Sequence, residues 1–82
     1  PNPFNPVTTL EFDIPENGAT RLSLFDLSGR EVMTIIDREL SAGHYRFQLD
    51  GRDLVSGIYI YQIQVKGQKE AYLATRKLIL LK

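Results

Sequence analysis

Apolar side chains in this sequence recur at every second position in one short run after another, and no segment holds a helical spacing long enough to build a helix. In Leu10-Glu11-Phe12-Asp13-Ile14 one face is apolar and the other carries two carboxylates. A strand sends alternate side chains to opposite faces, so this pattern describes a strand with one face in a core and the other in water. Residues that bend or stop a chain separate the runs: Pro15-Glu16-Asn17-Gly18, Asp26-Leu27-Ser28-Gly29, Leu40-Ser41-Ala42-Gly43 and Lys66-Gly67-Gln68-Lys69.

Further runs follow at Arg21 to Phe25, Glu31 to Ile36, His44 to Asp50, Ile58 to Val65 and Tyr72 to Leu81. In the fourth of the runs, Tyr45, Phe47 and Leu49 share one face, and His44, Arg46 and Gln48 share the other. Asp26 and Gly29 stand where a type I turn or a bulged hairpin wants them. Short strands at this spacing predict an all-β fold, an immunoglobulin-like antiparallel β-sandwich of about seven strands, with a small barrel as the alternative. One segment favours the sandwich. In Val55-Ser56-Gly57-Ile58-Tyr59-Ile60-Tyr61 a glycine precedes two tyrosines two residues apart, the pattern of a tyrosine corner. Tyr59 is assigned to the corner and Tyr61 to the core.

Eighty-two residues suffice for one small domain, which buries roughly 60% of the surface its unfolded chain exposes. The expected organisation is a single domain over residues 1–82, with a stiff Pro-rich lead-in at 1–7 and the sandwich at 8–82. Without cysteine the core gains nothing from disulfides or thiolate metal sites. Ten basic and ten acidic side chains cancel, which argues against nucleic acid or an anionic membrane as partner. No apolar run is long enough to cross a bilayer as a helix. The sequence opens at Pro1 with neither methionine nor leader and is expected to be a piece of a longer protein, any export signal lying upstream.

Catalytic chemistry finds little support. Nucleophilic catalysis needs a base beside the nucleophile, and His44 is the lone histidine, set on the polar face of its strand. P-loop, dinucleotide and HExxH motifs are absent. Glu11 and Asp13 are spaced about 7 Å apart along one strand, but alternation with core residues puts them on an open face. Asp50-Gly51-Arg52-Asp53 lacks the further oxygen ligands of a calcium loop and reads as a turn. Most aromatics are claimed by core periodicity, leaving Phe4, Phe25 and Tyr72 free in distant parts of the chain. The expectation is a non-enzymatic domain with no cofactor and no metal.

The last run departs from alternation. Leu78-Ile79-Leu80-Leu81 is continuously apolar and is flanked by Arg76, Lys77 and Lys82. Both faces of the final strand are therefore hydrophobic. Either another segment shields the second face, or part of it docks another protein.

"PNPFNP" at the start, "FDLSGREV" in the middle, "LVSGIYIYQI" later and "TRKLILLK" at the end, in this order, resemble the type A C-terminal sorting domain of type IX secretion cargo. The middle is also similar to the immunoglobulin-like module of flagellar hook-capping proteins, but Leu49 precedes Asp50-Gly51 where that module has an aromatic. The sorting-domain resemblance implies an address at the end of a larger exported protein. Such a domain directs its upstream cargo across the outer membrane, engages a translocon and a shuttle protein, and is removed by a cell-surface sortase, leaving the cargo attached to the surface or released. By motif, the implied recognition residues are Pro1, Asn2, Pro3 and Phe4, then Gly57 and Tyr59, then Lys77, Leu78, Ile79, Leu80, Leu81 and Lys82. The expected oligomeric state is a monomer or weak oligomer. The readings held beside it are an immunoglobulin-like structural or assembly module and a carbohydrate-binding accessory domain of a secreted protein. Phe4 is expected to anchor the lead-in against the first and last strands.

Overall fold

A computed structural model describes residues 6–82 of the chain, and the expectations for Pro1, Asn2, Pro3 and Phe4, the Phe4 anchor included, lie outside these residues. Six strands follow in order: β1 (Val7–Ile14), β2 (Gly18–Asp26), β3 (Glu31–Leu40), β4 (Gly43–Asp50), β5 (Gly57–Lys66) and β6 (Ala71–Leu80). They form two antiparallel sheets, a pair β1-β4 and a four-stranded sheet in the order β3-β2-β5-β6. Among the described residues there is no helix. The fold is thus an antiparallel sandwich, with six strands in place of about seven. Each alternating run of the sequence yields one strand; the Gly51 amide still donates to the Pro6 carbonyl beside the small sheet (3.3 Å), and Arg52 to Ser56 then form a short crossover from β4 to β5.

Alternation decides the core. Leu10, Phe12 and Ile14 of β1 face Leu22 and Leu24 of β2 and Tyr59, Tyr61, Ile63 and Val65 of β5 in one buried cluster, closed by Leu40, Leu49, Leu78 and Leu80. Phe12 and Tyr45 are cross-strand partners, and their rings stack with centroids 5.5 Å apart. The Tyr61 hydroxyl donates to the Glu11 carbonyl (3.1 Å), fastening one sheet to the other. Tyr59 forms the expected corner: its hydroxyl donates to the Val55 carbonyl at 2.6 Å. A second corner appears at the entrance of β4, where Tyr45 donates to the Ser41 carbonyl, also at 2.6 Å.

The β2-β3 hairpin turns through Asp26 to Gly29. Gly29 adopts φ of 89°, a conformation costly for any residue with a Cβ, and its amide donates to the Asp26 carbonyl (3.0 Å). The Asp26 carboxylate accepts from the amides of Ser28 and Arg30 and from the Ser28 hydroxyl. These bonds, led by the Ser28 hydroxyl, hold its pKa below the usual carboxylate value. Along β3 the register slips twice, passing over Ile35 and Val32. Each bulge places an additional residue in β3, and the sequence records this as the apolar doublets Val32-Met33 and Ile35-Ile36.

Candidate functional site

The end of β6 splits the apolar tail by parity. Leu78 and Leu80 point into the core, with 8% and 2% of their surface exposed, whereas Ile79 and Leu81 are 54% and 75% exposed. Leu80 lies directly over the backbone of Gly51: a Cβ on that glycine would stand 2.7 Å from one Leu80 methyl and 2.9 Å from the other. The strand is seated by its even-numbered residues. Its odd-numbered residues face out, which leaves more than half of Ile79 and of Leu81 exposed.

That outward face continues into the rest of the large sheet. Ile79 pairs with Ile58 and Lys77 with Ile60 on β5, and Ile60 pairs in turn with Phe25 on β2. Ile58 is itself 41% exposed. Directly opposed residues of an antiparallel pair share a face, so Phe25, Ile60 and Lys77 form one row and Ile58 and Ile79 the next. Among described residues, neither Lys77 nor Arg76 has a carboxylate partner, and the Arg76 guanidinium donates instead to the Thr75 carbonyl (2.9 Å).

Lys82 is placed differently. Its amide donates to the Ser56 hydroxyl (3.1 Å) and its ammonium to the Arg52 carbonyl (2.7 Å), so the last residue is tied to the β4-β5 crossover. Gly57 opposes Leu80 at the end of the β5-β6 ladder, and Tyr59 opposes Leu78. Tyr59 is buried. The structure therefore brings Gly57, Tyr59 and Lys77 to Lys82 together around one end of the β5-β6 hairpin, with Lys77, Ile79 and Leu81 presented outward.

Two other sequence candidates resolve into structural roles. Tyr72 packs against the core, which leaves Phe25 as the outward-facing aromatic among the described residues. Asp50 holds Arg52 through a 2.6 Å ion pair and accepts from the Arg52 amide, so the Asp50-Gly51-Arg52-Asp53 segment is a turn. Bonding to the Arg52 guanidinium and amide holds the Asp50 carboxyl below its ordinary pKa.

A third cluster was not legible locally. The β1-β4 register sets His44 opposite Asp13 and Arg46 opposite Glu11, and the imidazole lies between the two carboxylates, Nδ1 at 2.7 Å from Asp13 and Nε2 at 3.0 Å from Glu11. A ring that donates at both nitrogens is protonated. The hydrogen bonds to Asp13 and then Glu11 accordingly raise the His44 pKa above its ordinary value. The cluster is exposed on the outer face of the small sheet. When protonated, His44 clamps the two strands by charge, and no group of three metal-ligating side chains arranged to hold an ion occurs among the described residues.

Comparison with protein families adds a decisive observation to this geometry. The profile of the secretion system C-terminal sorting domain matches residues 1–80, which is nearly the whole chain. This chain belongs to that family. A sorting domain of type IX secretion is a C-terminal signal for export to the cell surface or the extracellular space, and it implies an upstream cargo. Comparison with curated proteins and with solved structures returned no match. Ile79 and Leu81 are among the large apolar side chains that packing of the fold leaves exposed.

Proposed function

We propose that this sorting domain is a non-enzymatic address read mainly through Lys77, Ile79 and Leu81. The observation that carries the reading is the division of the last strand, in which Leu78 and Leu80 secure the fold while the neighbouring apolar side chains stand in water. Exposed aliphatic residues of this size, contiguous with Ile58, Ile60 and Phe25, are a surface of the kind that protein partners cover. The partners in this reading are the outer-membrane translocon and its shuttle protein, followed by a surface sortase that detaches the domain and leaves the cargo anchored or free. Leu78, Leu80, Gly57 and Tyr59 serve recognition indirectly, by fixing where the outward residues stand, and Lys82 fastens the end of the strand. Pro1 to Phe4 would mark the junction with the cargo.

The test is a reporter fused upstream of the domain and expressed in a type IX host. Deleting Lys77 to Lys82 should trap the reporter in the periplasm. The double variant Ile79→Ala, Leu81→Ala should do the same while its thermal stability stays near that of the parent. Normal export of both fusions would refute the address, and a stable double variant exported normally would remove Ile79 and Leu81 from it.

A further inference from the structure

The backbone of β6 carries information that its side chains do not. The Gly67 amide donates to the Glu70 carbonyl at the head of the β5-β6 hairpin (3.0 Å). Bonded and non-bonded pairs alternate along an antiparallel ladder, and the β5-β6 register runs unbroken from Lys66↔Ala71 to Gly57↔Leu80. Counting from that first bond, Tyr72, Ala74, Arg76, Leu78 and Leu80 bond to β5, whereas Ala71, Leu73, Thr75, Lys77 and Ile79 turn their amides and carbonyls away from it. The Arg76 guanidinium on the Thr75 carbonyl agrees with this parity, because a carbonyl pointing into the ladder would not be open to it. β6 is the terminal strand of its sheet. The residues with outward side chains are thus the same residues whose backbone groups face the open edge.

The two edges of the large sheet differ in how they are guarded. β3 is broken by two bulges, and its Glu31 and Asp37 are held by Arg21 at 2.8 and 3.1 Å. Bulges and charged residues are the usual protection against edge pairing. β6 has no bulge, no proline and no carboxylate, and its exposed Leu73 and Ile79 flank Arg76 and Lys77. Pairing with a second copy of β6 in the register centred on Arg76 and Lys77 would bring these cations against their own kind. We propose that β6 is an acceptor edge for strand addition, taken up by an extended partner segment in which apolar residues alternate with carboxylates. The carboxylates would lie on the outward face beside Lys77, the apolar residues would extend the face of Leu78 and Leu80, and the partner backbone would bond the edge-facing groups from Ala71 to Ile79, displacing the Arg76 guanidinium from the Thr75 carbonyl. This rests on the sorting reading for its biological partner and specifies how that partner binds.

The edge is tested with an acetylated, amidated ten-residue peptide of alternating valine and glutamate, titrated into the labelled domain and followed by amide NMR. The expected result is perturbation centred on Leu73, Thr75, Lys77 and Ile79, with affinity at least about tenfold above that of the valine-lysine counterpart, because like charges opposed across strands repel. Thr75→Pro removes an amide from the open edge and none from the β5 ladder, so a folded Thr75→Pro variant should lose at least about tenfold in affinity. If that variant does not fold, Lys77→Glu takes its place and should reverse the preference between the two peptides. Equal binding of both peptides, perturbation confined to β3, an unchanged affinity on substitution, or self-association through β6 without peptide would each overturn the proposal. In the reporter fusion, normal export of a folded edge variant while the Lys77 to Lys82 deletion is retained would overturn the edge and leave the address standing. Export of the deletion as well would overturn the address itself.

Discussion

Truncating Leu80 to alanine should damage this fold far more than truncating its neighbour Leu81. Leu80 is 2% exposed and Leu81 is 75% exposed. Removing a buried leucine costs about 2–5 kcal/mol, and more where the surroundings cannot collapse into the space. Here one wall of the space is the Gly51 backbone, which has no side chain to relax inward, and the Leu80 methyls already reach within contact of it. A cost of about 3.5 kcal/mol is therefore expected for Leu80→Ala. Set against the total stability of a chain of 82 residues, about 4–12 kcal/mol, that is more than a quarter of the whole. At about 4–8 °C per kcal/mol for a domain of this size, Tm should fall by roughly 14–28 °C. Leu81→Ala should change stability by no more than about 0.5 kcal/mol, a shift of at most about 4 °C. Thermal unfolding followed by circular dichroism, with a urea titration to compare midpoints at equal slope, measures both. Equal losses for the two variants, or a larger loss for Leu81→Ala, would show that the parity assigned to the last strand is wrong.

Two further outcomes follow from individual contacts. Tyr59→Phe removes the hydroxyl that donates to the Val55 carbonyl at 2.6 Å and should cost about 0.5–1.5 kcal/mol, read as a lower urea midpoint with an unchanged slope; no change would deny the corner a role in stability. The His44 clamp makes stability depend on pH with a definite sign. The folded-state pKa of His44 is raised above 6.5, so its contribution is fully present below that value and is lost as pH rises through the folded pKa. Above the carboxylate range, between about pH 5 and pH 9, the stability advantage of the parent over His44→Gln should shrink with rising pH and with added salt. An advantage that grows with pH would contradict the clamp.

Most strands were legible because one face of each is dry and the other wet, so sequence period and burial coincide. β3 was harder. Its two bulges turn alternation into the doublets Val32-Met33 and Ile35-Ile36, and its last residues, Asp37 to Leu40, belong to the strand because β2 begins as far back as Gly18 and pairs with Leu40. The Tyr59 corner was readable from Gly57-Ile58-Tyr59. The same glycine-x-tyrosine signal stands in Gly43-His44-Tyr45, and it marks the second corner at Ser41, which the core periodicity of β4 obscured. The meeting of His44 with Glu11 and Asp13 was hidden for another reason. It depends on the β1-β4 register, which joins residues more than thirty positions apart in sequence, and local alternation contains no information on which strands pair. The abnormal end of β6 was visible as a broken period, but which half of it faces out is decided by the seating of Leu80 on Gly51.

Dividing one strand between two tasks by residue parity has a consequence for how such a domain can diversify. Substitutions at Leu78 and Leu80 are tried against the core, while under the proposed address substitutions at Lys77, Ile79 and Leu81 would be tried against a partner outside it. A secretion apparatus and its cargo can then drift together in the pairing surface without the fold being rebuilt at each step. Under that proposal the domain would be a retargetable label, its outward positions rewritten for a different receptor while the inward ones keep the scaffold intact.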